Sequence, residues 1–170
     1  LTESEEKVFK AVLLDVGVGI DGGNVFYGNI GSSEHMTNTV IGDNVNSASR
    51  LEGLTRVYKI PVIVSEYVKN EVESATSAYK FIEIDTVQVK GKTEGKKIFF
   101  PIDVSSADEE IIRKYEIFQL GLQAYYDGDW KQARALFKTC ELDVGKVFLE
   151  RISIRQSPAD WSGIWTMTTK

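Results

Sequence analysis

An α+β fold is what this sequence predicts, and three observations carry the prediction. Apolar residues alternate at period two through Leu14, Val16, Val18 and Ile20, as strands with one buried face do, and Val25, Tyr27 and Ile30 continue a second strand. Val45, Ala48 and Leu51 recur at helical spacing, and residues 109–155 carry helical spacing alone. The polar stretch Ser105-Ser106-Ala107-Asp108 separates the mixed part from the helical part, so the boundary falls between residues 1–104 and 105–170.

In chain order, Gly22-Gly23 marks a turn, which predicts a hairpin between the two alternating stretches. A helix is expected from Asp43, whose side chain suits an N-cap, to Tyr58, with Pro61 ending it. Ile60-Pro61-Val62-Ile63-Val64 reads as a short apolar strand, Ser65 as the cap of a helix to about Glu73, and residues 81–89 and 97–102 as two strands around a turn at Gly91. Beyond residue 108, Ile111, Tyr115, Phe118, Leu122 and Tyr125 form one stripe. After the turn Asp127-Gly128-Asp129, Trp130, Ala133, Phe137 and Cys140 form another, predicting an antiparallel helix pair. Gly121, Ala133, Phe137 and Cys140 match half of a tetratricopeptide unit, while Ile117, Ala124 and Gly145 depart from it. A single such unit cannot bury its own face and must pack on the first part or on a partner.

Composition bounds the function. A chain of 170 residues, 42% hydrophobic and 26% charged, is about one domain's worth of globular protein. No apolar run approaches the roughly 20 residues of a membrane span. Leu1-Thr2-Glu3-Ser4-Glu5-Glu6 is no secretory signal, and a start on Leu leads to the expectation of a fragment. With 20 basic against 25 acidic residues the net charge is −5, which argues against a general nucleic-acid binder but leaves room for a small anionic ligand. The single cysteine, Cys140, sits in an apolar helical stripe and points to a reducing cytoplasm. His35 is the only histidine, so a His-rich metal site or a Ser/His/Asp triad has little support.

Two motifs remain. Gly17-Val18-Gly19-Ile20-Asp21-Gly22 fits a dinucleotide-binding glycine pattern letter for letter, but strand alternation continues past it where that pattern needs a helix to open. The stretch Thr39-Val40-Ile41-Gly42-Asp43-Asn44-Val45-Asn46-Ser47-Ala48-Ser49-Arg50-Leu51-Glu52 places Asn46 and Arg50 four apart on one helix face. An amide beside a planar, permanently charged guanidinium suits an anionic, oxygen-rich transition state. On spacing alone, two ordinary exposed helix residues explain the pair better than a site does.

Three segments together resemble the class III nucleotidyl cyclases. They are the run Val18-Gly19-Ile20-Asp21-Gly22-Gly23-Asn24-Val25-Phe26-Tyr27-Gly28-Asn29-Ile30-Gly31, the stretch 39–52, and Val89-Lys90-Gly91-Lys92. The resemblance implies the C-terminal part of a ferredoxin-like cyclase catalytic domain over 1–104, followed by a tetratricopeptide-like helical hairpin and tail. It implies that Asn46 orients the ribose and that Arg50 stabilises charge on the phosphates. Lys90 would hold the terminal phosphates, Thr39 would recognise the adenine amino group, and Val40 would line the base pocket. ATP is then the substrate, cyclic AMP and pyrophosphate are the products, and a second cyclase protomer is the partner in a head-to-tail homodimer. Two Mg²⁺ or Mn²⁺ ions are implied as cofactors, with their aspartate ligands on upstream strands; Asp15, Asp21 and Asp43 are not taken as substitutes and no metal site is assigned. Alone, the chain is therefore expected to be inactive, and a catalytically inactive nucleotide-binding or interaction module is the alternative. The segment from Ser157 to Lys170 is similar to the tail of a subset of bacterial cyclases, implying a bacterial source and a natural end at Lys170, with Trp161 and Trp165 anchoring the tail. No nucleic acid and no membrane contact are expected of this segment, and tethering through upstream sequence is left open.

Overall fold

The computed structural model describes residues 16–32, 34–88, 94–153 and 155–166. The first part comprises β1 (Val18–Ile20), β2 (Phe26–Ser32), β3 (His35–Ile41), α1 (Asp43–Tyr58), β4 (Val62–Ser65), α2 (Glu66–Ala75), β5 (Tyr79–Gln88) and β6 (Gly95–Asp103). The second comprises α3 (Glu109–Tyr126), α4 (Trp130–Thr139), α5 (Asp143–Ile152) and β7 (Trp165–Thr166). The mixed α+β class holds. A five-stranded sheet runs β1-β4-β6-β5-β7, and β2 and β3 form a separate two-stranded ribbon.

The expected hairpin across Gly22-Gly23 is not formed. β1 pairs in parallel with β4, Val18 opposite Val62, while β2 pairs antiparallel with β3 from Phe26↔Ile41 to Ser32↔His35. Gly23, at a φ of 136°, takes a backbone conformation that favours glycine in the connection between the two strands. Val62, Ile63 and Val64, all apolar, are the residues that β1 pairs with.

α1 spans the residues expected of it, but Asp43 is its first helical residue rather than its cap. The cap position is Gly42, which has no side chain to accept; its carbonyl receives the Val45 and Asn46 N–H groups instead. Lys59, in the left-handed region at φ 54°, ends the helix and donates to the Thr55 carbonyl before Pro61 is reached. Ser65 caps α2 as expected, its Oγ accepting from the Val68 N–H at 3.3 Å. β5 and β6 are both longer than the sequence suggested, and the turn expected at Gly91 lies outside the described residues.

Residues 109–155 form three helices rather than a pair. Glu141, at φ 55°, breaks the run after α4, and α5 begins two residues later. Phe148 of α5 is fully buried, its ring 4.9 Å from Phe137, 5.1 Å from Tyr125 and 5.7 Å from Phe118, centroid to centroid. These rings join Ile82, Ile84 and Ile98 of the sheet in one continuous core, so the helices bury their apolar faces on the strands. Cys140 is buried among them, its Sγ donating to the Phe137 carbonyl at 3.2 Å. The tail packs back as anticipated: the Trp161 indole N–H donates to the Tyr125 carbonyl at 2.9 Å, and β7 lies parallel to β5 with Trp165 opposite Val87. No helix among the described residues is long and apolar enough to cross a membrane.

Phe148→Ala is expected to lower the unfolding free energy by about 3–5 kcal/mol, because the cavity it leaves is walled by rings that cannot all collapse into it. Urea denaturation of the two proteins, followed by far-UV circular dichroism, measures the difference.

Candidate functional site

The candidate residues of the sequence lie along one strand–turn–helix unit. β3 carries Thr39, paired across the ribbon with Gly28, and Val40, paired with Tyr27. After the turn at Gly42 the chain enters α1, where Asn46 and Arg50 stand on the same face one turn apart, both exposed. Thr39 is half-buried and Val40 exposed; as neighbours in a strand they point to opposite faces of the ribbon. Lys90 lies outside the described residues.

α1 is packed unevenly. Leu51, Thr55 and Tyr58 in its second half are buried, whereas Val45, Asn46 and Arg50 in its first half face solvent. Between that first half, the β4–α2 junction and β6 lies a cleft of about 520 Å³. Arg50 and Ser47 of α1, Asp21 after β1, Ser65 before α2, and Lys96 and Lys97 of β6 contribute to its wall. Among the described candidates Arg50 lines it, whereas Thr39, Val40 and Asn46 are not part of its wall.

The cleft mixes charges, and Asp21 shows how they are balanced. Partial burial pushes its carboxyl up, but hydrogen bonds from the Ser65 and Ser47 hydroxyls and the Gly22 N–H, together with the nearby Lys96 ammonium, outweigh this and hold it below its ordinary value. Asp21 thereby ties β1 to α1 and to the start of α2. Ser47 and Lys96 escaped the sequence reading because a lone serine and a lysine in a basic run carry no spacing signal. The oxygens of Asp21 are engaged by hydroxyls and an amide, and among the described residues no three carboxylate, histidine or cysteine side chains cluster as metal ligands do. The described residues therefore do not fit a two-metal site, and no step is routed through one.

Residues 2–102 match the adenylate and guanylate cyclase catalytic domain. The chain belongs to that family. It is 28% identical over 134 residues to the terminal-differentiation-specific adenylate cyclase of Dictyostelium discoideum, covering 78% of this chain and 6% of that protein. That stretch is longer than the segment ending at residue 102, so the likeness continues past the cyclase match. An adenylate cyclase of Anabaena cylindrica is 40% identical over 87 residues, 51% of this chain and 17% of that one. The chain thus spans well under a fifth of these curated relatives. Among solved structures, a bacterial light-regulated adenylyl cyclase superposes with a TM-score of 0.43 at 33% identity, covering 50% of this chain and 23% of that one. The adenylyl cyclase CyaB of P. aeruginosa superposes at 0.45 and 22% identity, covering 59% and 50%.

A pH dependence follows from Asp21. Its folded value is depressed below the ordinary 3.8, so its contribution to stability is complete above that value and is lost as pH falls through the depressed one. Asp21→Ala should be less stable than the parent at neutral pH, and the gap should close in strong acid. Urea midpoints of both proteins at several pH values read it directly.

Proposed function

We propose that this chain supplies the base-recognition and transition-state half of an adenylate cyclase site, which forms cyclic AMP and pyrophosphate from ATP. The observation that carries the reading is the exposed Asn46 and Arg50 pair on one face of α1, which follows the end of Thr39's own strand after a single glycine turn, within the stretch that matches the cyclase domain. In the reaction the ribose 3′-oxygen forms a bond to the α-phosphorus, the bond to the bridging oxygen breaks, and pyrophosphate carries away the negative charge. The hydroxyl proton passes to solvent.

Each residue then has a role set by its chemistry. Arg50 meets the charge that grows on the phosphate oxygens with a fixed, planar donor set, and it reaches into the cleft whose wall also carries Lys96 and Lys97 beside Asp21, Asp43 and Glu66. Asn46 orients the ribose through its amide. Thr39 reads the adenine amino group with its hydroxyl, while Val40, facing the other side of the ribbon, meets the same base through its main chain. Lys90 holds the terminal phosphates. Two Mg²⁺ or Mn²⁺ ions belong to the reading, with ligands outside the residues described here, and they would come to this half-site from a second protomer in a homodimer. The chain alone is then inactive. The β2–β3 ribbon supports a partner there, since Phe26 is 83% exposed and Tyr27 72%. Residues 105–170 are the helical hairpin and tail in this reading, packed on the sheet, with α3 and α4 as the tetratricopeptide-like pair.

The test is cyclic nucleotide production by the chain extended through its natural upstream sequence, with Mn²⁺ and either ATP or GTP. Cyclic AMP formation is expected, and Asn46→Ala or Arg50→Ala should lower kcat about 10²–10³-fold with a smaller change in KM, because both groups act on the transition state. Equal turnover in mutant and parent would remove them from the site. Thr39→Ala should erode the preference for ATP over GTP, measured as the ratio of kcat/KM values. A folded, dimeric extended chain that makes no product from either nucleotide would assign the inactive binding module instead.

A further inference from the structure

Outside the lining of the cleft, a carboxylate and a guanidinium are buried together where the sheet, α1 and the helical unit meet. Arg151 Nη1 of α5 lies 2.6 Å from Asp85 Oδ2 of β5, with the side chains 6% and 0% exposed. The same carboxylate oxygen accepts the hydroxyl of Tyr58, the last residue of α1, at 2.6 Å, and Arg151 Nη2 donates to that hydroxyl at 3.2 Å. Arg151 Nη1 also donates to the Tyr125 hydroxyl of α3 at 3.3 Å, while Asp85 Oδ1 accepts the Thr86 N–H. Aromatic faces enclose the guanidinium, with the Phe148 ring centroid at 4.6 Å and that of Trp165 in the tail at 4.9 Å.

Nothing in the cyclase chemistry requires this cluster, and its construction is specific. β5 carries an irregularity between Glu83 and Asp85, where its register against β6 slips. Ile82, Ile84, Asp85 and Val87 are all buried, so the alternation shifts by one residue and Asp85 is turned into the layer that Ile82 and Ile84 occupy. A bulge that re-aims a carboxylate onto the end of a helix fixes where that helix ends. α1 is held at its Tyr58 end and exposed at its Asn46 end, and at 1.5 Å per residue Arg50 sits only about 12 Å up the axis from Tyr58.

We infer that Asp85, Arg151 and Tyr58 form a clamp through which the C-terminal helical unit sets the position of α1, and with it the presentation of Asn46 and Arg50. These three are positioning residues: they touch no substrate, and their directional hydrogen bonds fix the rotation of α1 about its axis. The inference rests on the reading of Asn46 and Arg50 given above.

Two variants in the upstream-extended chain separate positioning from plain stability. Tyr58→Phe keeps the ring and removes only the hydroxyl. Asp85→Leu combined with Arg151→Met replaces the buried pair by apolar side chains of similar bulk, a change that commonly preserves or raises stability. Both are expected to keep the parent's Tm within a few degrees and KM for ATP within about twofold while kcat falls about tenfold or more, as small misplacements of catalytic groups do. Parental kcat in both variants would overturn the clamp. Amide hydrogen exchange of α1 is the second readout: Tyr58→Phe should speed exchange over residues 43–50, and unchanged protection there would overturn it equally. If the double variant fails to fold, Tyr58→Phe decides alone. If the parent makes no cyclic nucleotide, the catalytic reading has failed, and exchange in α1 still decides whether the clamp exists.

Discussion

The fold turns on a charge pair that water does not reach. Bringing Asp85 and Arg151 out of solvent carries a desolvation cost of several kcal/mol per ion, offset only where geometry is good and the remaining donors and acceptors are filled. Burial works against the Arg151 charge, but Asp85, with the Tyr58 and Tyr125 hydroxyls, outweighs it and raises the guanidinium above its ordinary value. Breaking either end would strand the other in an apolar enclosure. That constraint binds a strand, two helices and the end of α1 to one geometry, whereas the aromatic core around Phe148 supplies bulk burial with less direction. Surface pairs such as Arg56 with Glu52 add little beside it, since solvent screens them.

Much of the architecture was legible from periodicity. α1 ran from Asp43 to Tyr58 as its spacing indicated, and Ser65 capped α2, because both signals are local. What failed was pairing. The alternation around Val18 and Tyr27 marks strands but not partners, and the true partner of β2 is His35-Met36-Thr37-Asn38-Thr39-Val40-Ile41, a strand mostly exposed on both faces and hence without a period-two signature. α5 hid within a continuous helical pattern because the break at Glu141 depends on one left-handed residue rather than on a glycine or proline. Asp43 resembled a cap in sequence, yet the strand feeding α1 turns one residue earlier.

The candidate site was legible to a different degree. Asn46 and Arg50 share a helix face whether or not the rest of the domain is known, because i,i+4 spacing is geometry. Ser47, Ser65 and Lys96 converge on Asp21 from three separate elements, which no spacing rule anticipates. The cluster at Asp85 was announced only by a charge interrupting an apolar strand, and Arg151 by its place one turn after Phe148; each looks incidental until the bulge in β5 faces them together. Long-range partners of single polar residues are where reading a chain one segment at a time runs out.

The buried thiol has a practical side. Cys140 is the chain's one cysteine, and it sits fully enclosed between α4 and α5. Burial raises its thiol above the ordinary value, so the enclosed group presents little reactive thiolate and regains ordinary reactivity only when the helices open. A thiol reagent in excess consequently labels the protein only as fast as the helices part, at one position and without a mutation. The molecule thus carries its own clock for the opening of its C-terminal half.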